Sequence, residues 1–298
     1  MKKIKGSISK PHPSTLITVA ALSLCVLLPL RVYQVTSIID PETGFFTDSS
    51  FTVPLFYILG GAVAAALMIL SYMNDKANRT RNCAVKSKLL GAISVITAIS
   101  IMYGSVTSIS GFVKLSSEYS LLMHNVSFTS YLTQSGATAL LLKSVFGILT
   151  GVFFCVYAIS CFSDKMKLSS VKILSAAPVA WAICRIVYRF IEKISFVNVS
   201  DLLLELIMLV FIIMFLLAFA QVVTDVTPEI SAWRLYGCGL PAAVTAFIVS
   251  APKVFLMVIG HPELIVEGYS FELCDLILAI FIPVFLYNTA TAKAPEVK

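Results

Sequence analysis

Long runs of apolar residues, separated by short polar segments, extend from residue 14 to residue 289. An α-helix needs about 20 apolar residues to cross a bilayer core about 30 Å thick. Eight segments have this character, and we predict a transmembrane helix for each. Their approximate ranges are 14–33, 52–73, 89–113, 136–161, 170–191, 201–224, 235–259 and 271–289. The pattern therefore predicts an all-α polytopic integral membrane helix bundle that forms one transmembrane domain over residues 1–298.

The eight segments differ in strength. Residues 206–220 carry no charge, whereas the seventh segment is interrupted by Pro241, Pro252 and Lys253. A seven-helix protein would require that segment to be re-entrant. The first segment follows four lysines, as a signal peptide would, but it reaches Arg31 with no small-residue cleavage site after it. We therefore interpret it as a retained first helix.

The composition supports the membrane interpretation. Hydrophobic residues make up 58% of the chain and charged residues 13%, with a mean hydropathy of +0.92. A soluble domain has about 25% charged residues. So few charges cannot cover a water-exposed surface, so we expect no soluble domain outside the bundle. The lipid bilayer is the expected partner.

The distribution of charge predicts the orientation. If the N-terminus is cytoplasmic, 15 of the 22 basic residues fall on the cytoplasmic side and 11 of the 16 acidic residues on the other. Lysine and arginine are enriched in cytoplasmic loops. We therefore predict a plasma-membrane protein with both termini in the cytoplasm. The net charge of +6 comes from this excess of basic residues on the cytoplasmic side. Basic and aromatic residues are not interleaved, so we expect no nucleic-acid partner.

Enzyme motifs are missing from the sequence. Walker A, HExxH and GxSxG patterns do not occur, and the seven cysteines include no CxxC pair. We expect no enzyme, no metal and no cofactor. A lipid-active enzyme is a minority alternative, which would need Asp40, Glu42, Asp48 and His124 of the outer loops to converge. Residues 40–44 predict a turn. We interpret the aromatic residues after this turn as an anchor at the membrane interface; the alternative is a lid over a ligand site.

Ionisable residues inside helices are costly and mark a candidate functional site. Six lie at similar depth, one or more turns in from the predicted outer ends of five helices. They are Lys143, Arg185, Glu205, Lys253, Glu272 and Asp275. This agreement in depth predicts that they form one cluster.

Two interpretations of the cluster remain open. In the structural one, Arg185 pairs with Glu205 and Lys253 with Asp275 as interhelical salt bridges, since an unpaired charge at this depth costs several kcal/mol. The protein would then be a non-transporting scaffold, sensor or assembly subunit. In the functional one, the cluster lines an outward-opening cavity that binds or transports a small polar or charged solute. Pro252 favours the second interpretation, because broken helices at depth usually line cavities.

Small residues indicate where helices approach closely. Gly147 and Gly151 form a GxxxG pattern, and Ser100, Gly104 and Ser108 repeat every four residues. Such patterns allow helix backbones to come together in membranes. They predict a compact bundle and carry no catalytic role.

Overall fold

The computed structural model describes residues 13–41, 44–47, 51–75, 87–119, 127–163, 172–191, 199–224, 232–265 and 272–291. Within these ranges the protein is α-helical. The helices are α1 (Pro13–Ser37), α2 (Thr52–Asp75), α3 (Lys88–Tyr119), α4 (Phe128–Gln134), α5 (Ala137–Phe162), α6 (Ala177–Ile191), α7 (Val199–Val223), α8 (Ala232–Val258) and α9 (Leu273–Thr291). Two 3-10 turns are present in these ranges: Leu174–Ala176 leads into α6, and Pro262–Leu264 follows α8.

Eight of these helices are long and apolar enough to cross a membrane, which confirms the predicted number of spans. They are α1 to α3 and α5 to α9, with the first 3-10 turn extending α6 to 18 residues. The weak seventh segment is one continuous helix of 27 residues that includes both Pro241 and Pro252. This continuous helix favours a full span over the re-entrant alternative.

The connection between α3 and α5 is more helical than predicted. Helix α3 continues six residues past the expected boundary, to Tyr119, and the seven-residue α4 follows within the predicted loop. The Tyr119 ring lies 5.1 Å from Phe128 and 5.2 Å from Tyr131, centroid to centroid. These aromatic contacts hold α4 against the end of α3.

The predicted turn after α1 is present. Gly44 has a φ of 67°, and its N–H donates to the carbonyl of Asp40. A positive φ is easily adopted by glycine, which has no Cβ. Ile39 and Phe46 form an isolated antiparallel bridge across this turn. Glu42, Asp48 and His124, needed by the lipid-enzyme alternative, lie outside the described residues.

Phenylalanine rings fill the space between α5, α7 and α9. Phe219 of α7 contacts Phe154 of α5 and both Phe281 and Phe285 of α9, at centroid distances between 4.8 and 6.0 Å. All four rings are fully buried. Stacked and edge-to-face rings contribute beyond their buried area, so this apolar core fixes the three helices whose N-terminal ends carry charged residues.

Helices α1 and α2 lie at the periphery. Only 22% of the apolar window of α1 and 11% of that of α2 are buried, compared with 50% for α5, α7 and α8. Leu22 is 63% exposed and Ile58 is 67% exposed. Continuous apolar faces of this size are rare on soluble monomers. Together with the eight long helices, they support a multi-pass membrane protein.

Candidate functional site

Arg185 lies at the centre of the charged residues. It is 2% exposed on α6, and its Nη1 and Nη2 donate to Oδ1 and Oδ2 of Asp275 at 2.6 and 2.8 Å. Nη2 also lies 2.8 Å from Oε2 of Glu272. The guanidinium carbon lies 5.0 Å from the centre of the Trp181 ring, one turn earlier on the same helix. Arginine is suited to such a site because its planar fork matches a carboxylate.

Two further ion pairs surround this arginine. Lys143 of α5 donates to Oε1 of Glu272 at 2.8 Å, so that Glu272 binds two cations through different oxygens. Arg189 of α6 donates through Nε to Oε1 of Glu205 on α7, at 2.9 Å. The other oxygen of Glu205, Oε2, is buried without a hydrogen-bond partner. The Arg189–Glu205 contact is therefore less completely satisfied than the Arg185–Asp275 pair.

We call these six residues the charged cluster. It contains Lys143, Arg185, Arg189, Glu205, Glu272 and Asp275. The N-terminal ends of α5, α7 and α9 and the C-terminal end of α6 meet here, and we call this the charged end of the bundle. With three cations and three carboxylates, the cluster has no net formal charge.

The structure brings together five of the six residues predicted to form the site, but with different partners. Arg185 binds Asp275 and Glu272, so its predicted pairing with Glu205 is wrong. Asp275 is bound by Arg185 at both oxygens, in place of the predicted Lys253. The physical reason is that α6 packs against α7 with Arg189, one turn beyond Arg185, next to Glu205. Arg189 therefore takes the place that Arg185 was predicted to have. Lys253 is half-buried on α8 and is not a member of the ion pairs that define the cluster.

The sequence analysis missed two functional candidates. Arg189 follows Arg185 by four residues and so lies on the same helical face, a signal that would have added it to the cluster. Arg31 of α1 is 2% exposed and forms an ion pair with Asp201 of α7. Its Nη1 also donates to Gln34, which in turn donates to the carbonyl of Thr52 at the start of α2. No local pattern indicates this contact between α1 and α7.

A cavity of about 590 Å³ adjoins the charged cluster. It is bounded by α3, α5, α6 and α9. Its wall consists of Ser100, Tyr103, Gly104, Thr107, Ser108, Gly111, Leu140, Lys143, Tyr188, Arg189, Glu272, Leu273 and Cys274. Tyr103 is 64% exposed and Leu273 is 42% exposed, so the cavity reaches the protein surface. Its size falls within the range of about 300–1,000 Å³ that is typical of small-ligand sites.

The cavity extends from the charged end towards the middle of the bundle. Ser100 and Gly111, both in its wall, are separated along α3 by about 16 Å at 1.5 Å per residue. This is about half the thickness of a bilayer core. The stripe of small residues on α3 thus faces the cavity as well as the neighbouring helix α5.

Hydroxyl groups of α3 present hydrogen-bond acceptors to the cavity. Ser100 donates to the carbonyl of Thr97, while Thr107 and Ser108 both donate to that of Gly104, at 2.9 Å in each case. A hydroxyl has one donor and two acceptor positions. Because each donor is used within the helix, the oxygen lone pairs remain for a ligand.

Glu272, Cys274 and Asp275 have ligand atoms within 4.8 Å of one another, a spacing that a metal ion could use. Both carboxylates are already bound to Arg185, and Glu272 also to Lys143. A divalent cation at this point would lie beside two fixed positive charges, which repel it. The donor set therefore fits ion pairing better than it fits metal coordination.

Comparison with known proteins identifies no relative: no family model matches the chain, and neither does any curated protein or solved structure.

Proposed function

We propose that this chain is a plasma-membrane protein that binds a small polar or charged solute in the cavity beside the charged cluster, as a transporter or a solute-binding protein does. The single observation that carries the proposal is the cavity of about 590 Å³ with Lys143, Arg189 and Glu272 in its wall. Charged groups at such depth are costly unless they have a function or a partner. Here they adjoin a space large enough for a solute.

The proposed orientation places the charged end of the cavity at the outer side of the membrane. With the lysine-rich segments in the cytoplasm, the N-terminus is inside and the C-terminal end of α1 is outside. Arg31 near that end binds Asp201 at the N-terminal end of α7, so the charged end of the bundle is the outer end. A solute would then enter from outside and reach the region of Ser100, near the bilayer centre.

The ion pairs of the wall define how a solute can bind. A solute carboxylate or phosphate can accept a charge-assisted hydrogen bond from Arg189, and a solute cation can donate one to Glu272. Glu205 and Lys143 are mostly buried and need their counter-charges, so the solute joins these ion pairs and does not displace a partner. Arg185 keeps its two bonds to Asp275 throughout, so the helices stay in register while the solute binds.

A cavity-filling substitution, Gly104→Leu, tests the proposal. Gly104 lines the cavity, and a Cβ added there meets no other atom within 4 Å, so this position offers room for a larger side chain. Replacing a helical glycine also tends to stabilise the helix. The measurement is the melting temperature of purified protein in detergent against a panel of sugars, organic acids, amines and amino acids. We expect one class to stabilise the natural protein and to lose this effect in G104L.

The matched control is Gly60→Leu on α2, where an added Cβ also meets nothing within 4 Å and which is not in the wall of this cavity. G60L should respond to the solute as the natural protein does. If no solute stabilises the natural protein, or if G104L and G60L respond alike, solute binding in this cavity is wrong.

The second candidate is the non-transporting scaffold, sensor or assembly subunit. It is favoured by the Arg185–Asp275 pair, which is fully buried, bidentate and outside the cavity wall. Its charges would serve helix registration only, and the cavity would hold no water. Thr107→Cys in a cysteine-free background separates the two candidates, with Val106→Cys as control, because Val106 is 60% exposed on the same helix and is not in the cavity wall. A water-filled cavity predicts fast modification of T107C, and slow modification of V106C in the surrounding lipid, by a charged methanethiosulfonate reagent.

A further inference from the structure

We infer that the solute of this cavity is a compact zwitterion of the α-amino-acid type, an inference that rests on the proposed function. The cavity wall offers groups for both charges of such a molecule. Lys143 and Arg189 are cations, whereas Glu272 and the hydroxyl oxygens of α3 accept hydrogen bonds. The class of solute follows from the balance and the placement of these groups.

Charge balance favours a molecule with no net charge. The charged cluster has equal numbers of cations and carboxylates, all in ion pairs. Adding a lone anion or a lone cation would leave an uncompensated charge in a region of low dielectric, which is strongly disfavoured. A zwitterion keeps the total unchanged and still uses both kinds of wall group.

The two kinds of group lie on different helices. Arg189 is on α6 and Lys143 on α5, and these are the two cations in the cavity wall. A solute carboxylate fits the guanidinium of Arg189, which is prepared for planar two-oxygen recognition. The Arg189 side of the cavity is therefore the carboxylate subsite.

The ammonium subsite lies towards α3 and α9. Thr107 and Ser108 present acceptor oxygens there, and Glu272 supplies a carboxylate. Aromatic rings add to this environment, because a cation is attracted to a ring face. Tyr103, on the same helix as Thr107 and Ser108, supplies such a ring in the cavity wall.

The binding test uses the twenty α-amino acids with two matched analogues of each one that binds. In the α-hydroxy acid a hydroxyl replaces the ammonium, and in the amino alcohol a hydroxymethyl group replaces the carboxylate. Losing a charge-assisted hydrogen bond weakens binding by about tenfold to a hundredfold. We expect at least one amino acid to stabilise the purified natural protein, and both of its analogues to bind at least about tenfold more weakly.

Two double variants assign the subsites without changing the net charge of the cluster. R189Q/E205Q removes the ion pair at the carboxylate subsite, and K143Q/E272Q removes the pair at the ammonium subsite. We expect the first to weaken the amino acid about tenfold or more while leaving its amino alcohol unchanged. The second should weaken the amino acid and leave its α-hydroxy acid unchanged. Elution as a single symmetric peak in size-exclusion chromatography checks folding, and a variant that fails it is replaced by R189K or E272D.

The outcomes separate this inference from the proposed function. If the α-hydroxy acid or the amino alcohol binds as tightly as the amino acid, the site recognises a single charge and the zwitterion inference is wrong. It is also wrong if only sugars, simple organic acids or simple amines stabilise the protein and lose this effect in G104L, although the proposed function then stands. If no compound in either panel binds, both are wrong.

Discussion

Arg185 and Asp275 are joined by two parallel hydrogen bonds of 2.6 and 2.8 Å, across 90 residues of sequence. Both residues are buried, with exposures of 2% and 4%. The pair connects the C-terminal half of α6 with the first turn of α9 and lies behind the cavity wall. It holds these two helices in register, so that Arg189 and Glu272 face the same cavity.

The first prediction concerns the stability contributed by this pair. Arg185→Met or Asp275→Leu alone leaves a charge without its main partner in a buried site, which costs about 3–5 kcal/mol. The double variant R185M/D275L removes both charges. Its loss in the free energy of unfolding should be much smaller than the sum of the losses in the two single variants. The measurement is a double-mutant cycle on the free energy of unfolding in detergent. Equal and additive losses would show that the two side chains are not coupled.

The second prediction ranks two other ion pairs. Asp201→Asn leaves Arg31, which is 2% exposed, without the carboxylate that balances its charge and beside neutral amide acceptors such as that of Gln34. Lys143→Gln leaves Glu272 with Arg185 as its remaining cation. Because an unpaired buried charge is the costly species, D201N should lower the melting temperature more than K143Q does.

A charge exchange supplies the control for this ranking. The variant R31D/D201R keeps the ion pair with reversed partners and should recover part of the stability lost in D201N. If K143Q is the more destabilising variant, or if the exchange recovers nothing, the Arg31–Asp201 contact does not contribute in this way.

The sequence was sufficient to predict where the helices lie along the chain, but not which helices pack against one another. Segments such as 206–220 are long, uninterrupted and apolar, so that the thickness of the bilayer alone determines how they are placed. Alternating helix direction then places Lys143, Glu205 and Asp275 at one end, without any knowledge of packing. These arguments use only local composition and chain direction.

Partner choice depends on which helices are adjacent, and this has no local signal. Asp275 binds Arg185 of α6, although α9 packs extensively against α8, the helix of Lys253. The direction in which each side chain projects therefore also decides the pairing. Arg31 resembles a basic anchor at a membrane interface, which is the common role of such residues, yet it is buried against α7. The cavity was likewise expected near charges, but its wall on α3 follows only from the tertiary structure.

The third prediction uses the GxxxG pattern of α5, which the structure places against α3. A Cβ at Gly147 would lie 2.1 Å from Oγ of Ser105, and one at Gly151 would lie 2.4 Å from Cγ of Met102. Overpacking of this kind costs about 1–3 kcal/mol. Gly147→Ala should be the more destabilising, because the flexible methionine can move away from Gly151.

Gly60→Ala is the matched control, since an added Cβ there meets nothing within 4 Å. It should leave the melting temperature unchanged or raise it slightly, because alanine is the better helix former. If G147A is as well tolerated as G60A, then α3 and α5 do not approach closely at this glycine.

The fourth prediction tests the orientation of the bundle, on which the direction of solute entry depends. Ser127 precedes α4 at the charged end and is exposed, whereas Ser87 precedes α3 at the opposite end and is half-buried. In a cysteine-free background, an impermeant maleimide should label S127C in intact cells, and S87C only after the membrane is opened. The reason is that lysine and arginine are retained in the cytoplasm during insertion, which places residue 87 inside. Labelling of S87C alone in intact cells would place the cavity mouth in the cytoplasm, and the protein would then take up its solute from the cell interior.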